Sequence, residues 1–167
     1  MNSMVIWALF FPATMAYAGI SDLRTMRIPN RVVLILLVGY LAAIPLVGLT
    51  LPAVLLSAAT ATVVLAFGFL AFSHGWMGGG DVKLLAVAAL WLGAGNVAAF
   101  IICTSLFGAV LTILMLIFRA LWLPAAWQGR DWILRLHRRD GGIPYGVAIA
   151  AAGVLVYLRL PWVAAPF

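Results

Sequence analysis

Apolar residues run along the chain in long blocks that short polar stretches separate. A helix needs about 20 apolar residues to cross a bilayer, because each residue adds about 1.5 Å. Glycine, proline and asparagine, which favour turns, fill the gaps between the blocks. The pattern predicts an all-α, polytopic membrane protein with six transmembrane helices in a single domain, residues 1–167. The predicted spans are residues 4–20, 32–49, 52–72, 78–92, 97–118 and 143–160.

The composition excludes a water-soluble domain. Apolar residues make up 66% of the 167 residues and charged residues only 8%, whereas roughly a quarter of a soluble domain is charged. The lipid bilayer is therefore the expected partner of much of the surface. The single cysteine, Cys103, lies inside an apolar block, which excludes a disulfide framework and a thiolate metal site.

The basic residues indicate the orientation in the membrane. In the predicted topology only Arg159 falls on one side, and the other nine of the ten Lys and Arg residues fall on the opposite side. These nine are Arg24, Arg27, Arg31, Lys83, Arg119, Arg130, Arg135, Arg138 and Arg139. By the positive-inside rule their side is cytoplasmic and the N-terminus lies outside. The net charge of +6 is thus a topology signal, and no nucleic-acid partner is expected.

The first apolar block is interpreted as a retained span. Ala16-Tyr17-Ala18 has the form of a signal-peptidase site, but no basic residue precedes the block and three arginines follow it. Cleavage there would leave those arginines on the wrong side of the membrane, so a signal peptide is the weaker interpretation.

Residues 119–142 differ from the spans because tryptophans alternate with arginines, as at Trp127, Arg130, Trp132 and Arg135. Tryptophan favours the headgroup region of a bilayer, and arginine binds anionic lipid. We interpret the segment as an amphipathic cytoplasmic piece lying at the membrane interface. A docking surface for a partner protein is the alternative.

Ionisable residues beside membrane spans are rare and usually functional. This chain has no glutamate, and its Asp and Glu total is 4. Asp22 follows the first predicted span and Asp81 opens the fourth, so two crossings separate them and both should lie at the cytoplasmic face. Glycines before Asp81 allow irregular backbone to line a wet pocket there. We therefore expect the two carboxyl groups to meet. Four further residues are expected to be solvated in loops: Asp131, Asp140, His74 and His137.

A close pair of carboxyl groups has a defined chemistry. The two share one proton because both cannot ionise easily. The ionised carboxylate can activate water while the protonated one donates to a peptide carbonyl. Metal and serine protease patterns are absent, since there is no H-E-x-x-H and no G-x-S-x-G. No metal and no cofactor are implied. Helix dipoles add the hypothesis that Asp81, at a helix start, is ionised and that Asp22, at a helix end, holds the proton.

Each candidate residue also has a purely structural interpretation. Asp81 could cap its helix, and Asp22 could pair with nearby arginines. Lys83 is interpreted as an anchor on the cytoplasmic side. Gly142 and Gly146, spaced G-x-x-x-G, are expected to allow close helix packing rather than to bind anything.

Three ordered segments resemble motifs of the type IV prepilin (leader) peptidases. Residues 22–30, D-L-R-T-M-R-I-P-N, resemble the first catalytic motif of that family. Residues 78–85, G-G-G-D-V-K-L-L, resemble its G-x-G-D motif, which presenilin-type proteases share. Residues 142–150, G-I-P-Y-G-V-A-I-A, resemble the segment that opens the last helix. The resemblance covers the whole chain, in the right order.

The resemblance implies a membrane-embedded aspartyl endopeptidase in the bacterial inner membrane. Its substrate would be a pilin precursor, whose leader is cut on the cytoplasmic side. The chain is similar to the compact, peptidase-only members associated with Flp-type (tight adherence) pili, so methylation of the new N-terminus is not expected. The oligomeric state is left open. The implied catalytic pair and its supporting residues are Asp22 and Asp81 with Gly78, Gly80, Lys83 and Arg24.

Two other functions stay open at the level of sequence. A small proton-coupled transporter would use the aspartates as a relay, but relay carboxylates usually lie near the middle of the membrane. An inactive scaffold for secretion-machine assembly would still support pilus formation after either aspartate is replaced.

Overall fold

The computed structural model describes residues 3–160, with side chains for all of these except residues 3–8 and 126. The two ends of the domain predicted over residues 1–167 therefore lie outside the described residues. Within the described part all regular structure is helical, which confirms the all-α prediction. A single 3-10 turn, Ala125–Trp127, precedes the sixth α-helix. The α-helices are α1 (Ser3–Thr25), α2 (Asn30–Val47), α3 (Leu51–Ser73), α4 (Gly79–Leu92), α5 (Ala94–Ala120), α6 (Asp131–His137) and α7 (Tyr145–Tyr157).

The predicted spans coincide with α1 to α5 and α7, and α6 lies in the segment before the last span. Three of the described helices, α2, α3 and α5, are long and apolar enough to cross a membrane, and α7 is a shorter apolar helix. These helices support a membrane-spanning protein, while the six crossings and their direction stay predictions. The clearest difference from the predicted boundaries is that α1 continues past Ile20 to Thr25 and so includes Asp22.

Helix α4 lies at the centre of the bundle, where α3 and α7 pack against it together with α2 and α5. From Leu84 to Leu92 every residue of α4 is buried, on all sides of the helix. The helix has 14 residues, which gives a length of about 21 Å at 1.5 Å per residue. This is less than the roughly 30 Å of a bilayer's hydrocarbon core. Because protein rather than lipid surrounds α4, its ends need not reach the membrane surface.

An aromatic cluster fixes the C-terminal end of α4. The ring of Trp91 lies 5.3 Å from that of Phe11 on α1 and 6.3 Å from that of Tyr157 on α7. Its indole N–H donates to the backbone oxygen of Leu36 on α2, at 2.9 Å. Trp91 is ten residues beyond Asp81, about 15 Å along the helix. The packed aromatic end of α4 is therefore remote from the aspartate end.

Helices α1 and α7 approach closely because small residues face each other between them. A Cβ atom added at Gly19 would lie 3.2 Å from the Cβ of Ala150, and one at Gly153 would lie 2.9 Å from the Cε of Met15. Small residues of this kind allow helix backbones to approach in a membrane. The close packing brings the last turn of α1 against the first turn of α7.

The segment of residues 119–142, for which an amphipathic piece is predicted, contains the end of α5 and the short helix α6. Ile133 and Leu136 are buried, whereas Trp122 is 83% exposed. Arg119, at the end of α5, is only 9% exposed. Its guanidinium donates to backbone carbonyls of the same segment. The location of the segment at the membrane interface stays a prediction.

The four residues expected to be solvated in loops differ in their surroundings. Asp131, Asp140 and His74 are exposed, and Asp140 pairs with Arg138 at 3.0 Å. The Arg138 guanidinium lowers the pKa of the Asp140 carboxyl. His137 departs from the expectation, because it is half-buried at the end of α6 with its ring 5.2 Å from that of Phe118.

Candidate active site

Asp22 lies in the last turns of α1 and is only 5% exposed. The backbone N–H of Gly146 donates a hydrogen bond to its Oδ2 atom, at 2.8 Å. Gly146 is the second residue of α7, and amides in a first turn have no partner within their own helix. The start of α7 therefore supplies Asp22 with a donor and with the positive end of a helix dipole.

Asp81 is the third residue of α4 and is half-buried. Its carboxylate faces the backbone amide of Gly78, the residue that precedes the helix. A Cβ atom added at Gly78 would lie 2.8 Å from Oδ2 of Asp81. Glycine, which has no Cβ atom, therefore leaves room for the carboxylate. A third-position side chain that reaches back to the N-cap amide is a known capping arrangement. The capping interpretation of Asp81 thus describes a real contact, which is compatible with catalysis.

The two carboxyl groups belong to one site, because Asp81 lies within electrostatic reach of Asp22. Ile28 packs between Gly80, which precedes Asp81, and Gly146, whose amide binds Asp22. A Cβ atom added at Gly80 would lie 3.2 Å from the Cβ of Ile28, and one at Gly146 would lie 2.8 Å from its Cδ1. The structure therefore brings together two residues that are far apart in sequence. Whether their end of the bundle faces the cytoplasm stays a prediction.

A tight turn after α1 folds Ile28 back onto this site. Met26 has a φ of 55°, in the left-handed region that commonly ends a helix, and its N–H donates to the carbonyl of Asp22 at 2.7 Å. The hydroxyls of Ser21 and Thr25 both donate to the carbonyl of Arg27, at 3.1 and 3.2 Å. The first motif is therefore held by its own polar residues.

The remaining predicted site residues lie around the aspartates. Gly78 and Gly80 have the contacts described above. Lys83 is exposed, and its ammonium donates to Oδ1 of Asn30 at 3.0 Å, which links the second motif to the end of the first. Arg24 is exposed, and its carbonyl accepts a hydrogen bond from Arg135 at 3.2 Å. In the described residues the one ion pair joins Arg138 and Asp140, so the structure gives no support to an arginine partner for Asp22.

The sequence prediction about Gly146 is incomplete. Gly146 does allow close packing against α1, since an added Cβ atom would lie 3.0 Å from the Cβ of Asp22, but its amide also binds Asp22 across 124 residues of sequence. No sequence signal shows which amide in the segment of residues 142–150 points at a carboxylate. The contact also weakens the dipole hypothesis, because Asp22 faces the positive end of α7 as well as the negative end of α1.

The arrangement can support acid–base chemistry on a bound water. Two interacting carboxyl groups, one buried and one half-buried, can hold a single proton between them. Within the described residues no group of three or more His, Cys, Asp or Glu side chains could hold a metal ion.

Comparisons with known proteins agree with this site. Residues 9–113 match the model of the type IV leader peptidase family, a stretch that contains both aspartates. The chain is also 33% identical, over 155 residues, to the "Prepilin leader peptidase/N-methyltransferase" of Bacillus subtilis (strain 168). The aligned region is 90% of this chain but 54% of that protein, so the chain spans about half the length of this relative. No solved structure matches the chain.

Proposed function

We propose that this chain, which belongs to the type IV leader peptidase family, is an aspartyl endopeptidase that removes the leader from a type IV pilin precursor. The observation that carries the proposal is the convergence of Asp22 and Asp81, each facing a backbone amide, at one end of the bundle. The proposal extends to cleavage on the cytoplasmic side of the bacterial inner membrane and to pilins of the Flp type.

The proposed mechanism uses the shared proton. The ionised aspartate takes a proton from water, and the water oxygen attacks the carbonyl carbon of the scissile peptide bond. The protonated aspartate donates to the carbonyl oxygen, so a neutral tetrahedral intermediate forms. This intermediate collapses when the C–N bond breaks. The nitrogen takes up the proton of one carboxyl group, and a hydroxyl group of the intermediate returns a proton to the other, so the pair again holds one proton. The products are a free carboxyl group and a free amine.

The amide of Gly146 holds the Asp22 carboxylate in place for this chemistry, and the Asp81 carboxylate faces the amide of Gly78. A hydrogen bond to a carboxylate restricts its rotation and stabilises its charged form. Because Asp22 is only 5% exposed, water competes weakly for its acceptor oxygens. Transport by a proton relay gains no support from the structure, since the interior of α4 beyond Lys83 is apolar as far as Leu92.

Cleavage of a co-expressed pilin precursor tests the catalytic assignment. Asp22→Asn and Asp81→Asn should each reduce the rate by at least about a hundredfold, as expected when a general acid or base is lost. Asp131→Asn, at an exposed aspartate in α6, is the matched control and should retain full activity. Mass spectrometry of the pilin N-terminus measures the product. Normal processing by either active-site variant would reject the proposal.

A separate experiment tests the orientation. Gly129 is exposed and has nothing within 4 Å of an added Cβ atom, and it belongs to the segment between α5 and α6. In a Cys103→Ser background, Gly129→Cys should react with a membrane-impermeant maleimide only after the cells are opened. Labelling of intact cells would place this segment outside and contradict cleavage on the cytoplasmic side.

A further inference from the structure

Arg119 is a charged residue whose burial the proposed chemistry does not explain. It lies at the end of α5 and is only 9% exposed. Its Nε donates to the carbonyl of Leu136 at 2.8 Å, and its Nη2 donates to the carbonyl of Gly142 at 2.5 Å. The carboxylate of Asp140 lies in its electrostatic field but is exposed. Burial of a guanidinium is unfavourable unless hydrogen bonds offset it, and here backbone carbonyls supply these bonds.

The two carbonyls lie at both ends of the connection between α6 and α7. Leu136 is next to the last residue of α6, and Gly142 lies just before α7 begins at Tyr145. Helix α5 holds the start of α7 at a second point, because the hydroxyls of Thr112 and Tyr145 are hydrogen-bonded at 3.1 Å. The next residue after Tyr145 is the donor to Asp22. Arg119 therefore fixes the segment that leads directly to the Gly146 amide.

We propose that Arg119 is a positioning residue for Asp22, acting through Gly142 and the first turn of α7. A guanidinium suits this role because its planar donors can bind two carbonyls at once, whereas a lysine ammonium is a single point of attachment. The role in catalysis rests on the proposed function. The structural part, that Arg119 orders the segment carrying the Gly146 amide, can be tested without any activity.

The activity-free test is hydrogen–deuterium exchange of the intact, detergent-solubilised protein. Arg119→Gln should increase exchange at least about tenfold in peptides that cover residues 142–147, while exchange in α3 and α4 stays unchanged. Arg139→Gln, at an exposed arginine of the same segment, is the control and should leave residues 142–147 protected. Arg119→Lys should increase exchange by an intermediate factor. It replaces Arg119→Gln in the comparison if the glutamine variant accumulates poorly.

The functional test is the pH dependence of kcat/KM for a pilin-precursor peptide. Loss of the Gly146 donor makes ionisation of the carboxyl pair harder, so the acid limb should move to higher pH in Arg119→Gln and less far in Arg119→Lys. Asp81 is the charged group that faces Asp22 in the described structure, and it is intact in both variants. A variant that is merely less stable would have a lower kcat/KM at every pH, and the acid limb of its pH profile would stay at the same pH.

The outcomes separate the two proposals. Failure of the wild-type protein to cleave any pilin precursor rejects the proposed function, and the exchange experiment still decides the structural role of Arg119. Cleavage by the wild type together with an unmoved acid limb in Arg119→Gln overturns the positioning role. Unchanged exchange over residues 142–147 overturns it as well.

Discussion

Replacement of Gly146 by alanine separates the contact with Asp22 from the stability of the fold. The added Cβ atom would lie 2.8 Å from Oδ2 of Asp22 and 3.0 Å from its Cβ. Both distances are shorter than van der Waals contact. The Asp22 carboxylate has to leave the amide, and the contact with its Cβ, which no side-chain rotation relieves, requires a small separation of α1 and α7. The backbone of α7 accepts alanine here, because Gly146 has no left-handed φ.

Gly146→Ala should lower activity but favour the helix in which it lies. A hydrogen bond to a charged group contributes about 1.5–3 kcal/mol, and about 1.4 kcal/mol of activation free energy is a factor of ten in rate. If the whole bond is lost in the transition state, kcat/KM falls about 10- to 150-fold. Alanine meanwhile favours a helix over glycine by about 0.5–1 kcal/mol. This gain offsets part of any strain against Ile28, so the folded protein should persist.

Gly95→Ala is a matched control for this experiment. Gly95 is the second residue of α5, as Gly146 is of α7, and nothing lies within 4 Å of an added Cβ atom. Both variants are assayed for cleavage of a pilin-precursor peptide and for unfolding of the solubilised protein. The expected result is lost activity with preserved folding for Gly146→Ala and no effect for Gly95→Ala. Activity of Gly146→Ala within twofold of the wild type would refute the role of the contact.

Two further predictions follow from the same geometry. Lys83→Met and Asn30→Ala each remove the same exposed hydrogen bond. Made singly and together, they should show a coupling of about 0.5–1 kcal/mol in the free energy of unfolding. Strictly additive effects of the two substitutions would mean that the bond contributes nothing. In infrared difference spectra, the band of the protonated carboxyl group should disappear with Asp22→Asn, because Asp22 is buried and Asp81 is half-buried. Disappearance of this band with Asp81→Asn instead would show that the Gly146 amide favours ionised Asp22 more strongly than burial disfavours it.

The apolar blocks predicted α2, α3 and α5 with small boundary errors because a membrane fixes helix length through hydrophobic length alone. Helix α5, for example, covers residues 94–120 against a predicted span of 97–118. The convergence of Asp22 and Asp81 followed from counting crossings, which needs no knowledge of side-chain contacts. These parts of the fold depend on local composition.

The parts that the sequence did not predict depend on contacts between distant residues. The first predicted span ends at Ile20, yet α1 continues through Asp22 to Thr25, and an amide 124 residues away supplies Asp22 with a donor there. Arg119 looked like an orientation signal, since its carbonyl partners lie 17 and 23 residues further along. A single sequence contains no information on which carbonyl or amide a polar side chain will meet.

The unequal reach of α5 and α7 makes the length of the connection between α6 and α7 matter to the site. Tyr145, at the start of α7, meets Thr112 of α5, and α5 continues from there to Ala120. These eight further residues extend about 12 Å along the helix axis, and Arg119 near their far end binds the carbonyls of Leu136 and Gly142. The connection between α6 and α7 therefore covers the extra length of α5. A change in the length of the connection between α6 and α7 would therefore displace the first turn of α7, which carries the Gly146 amide.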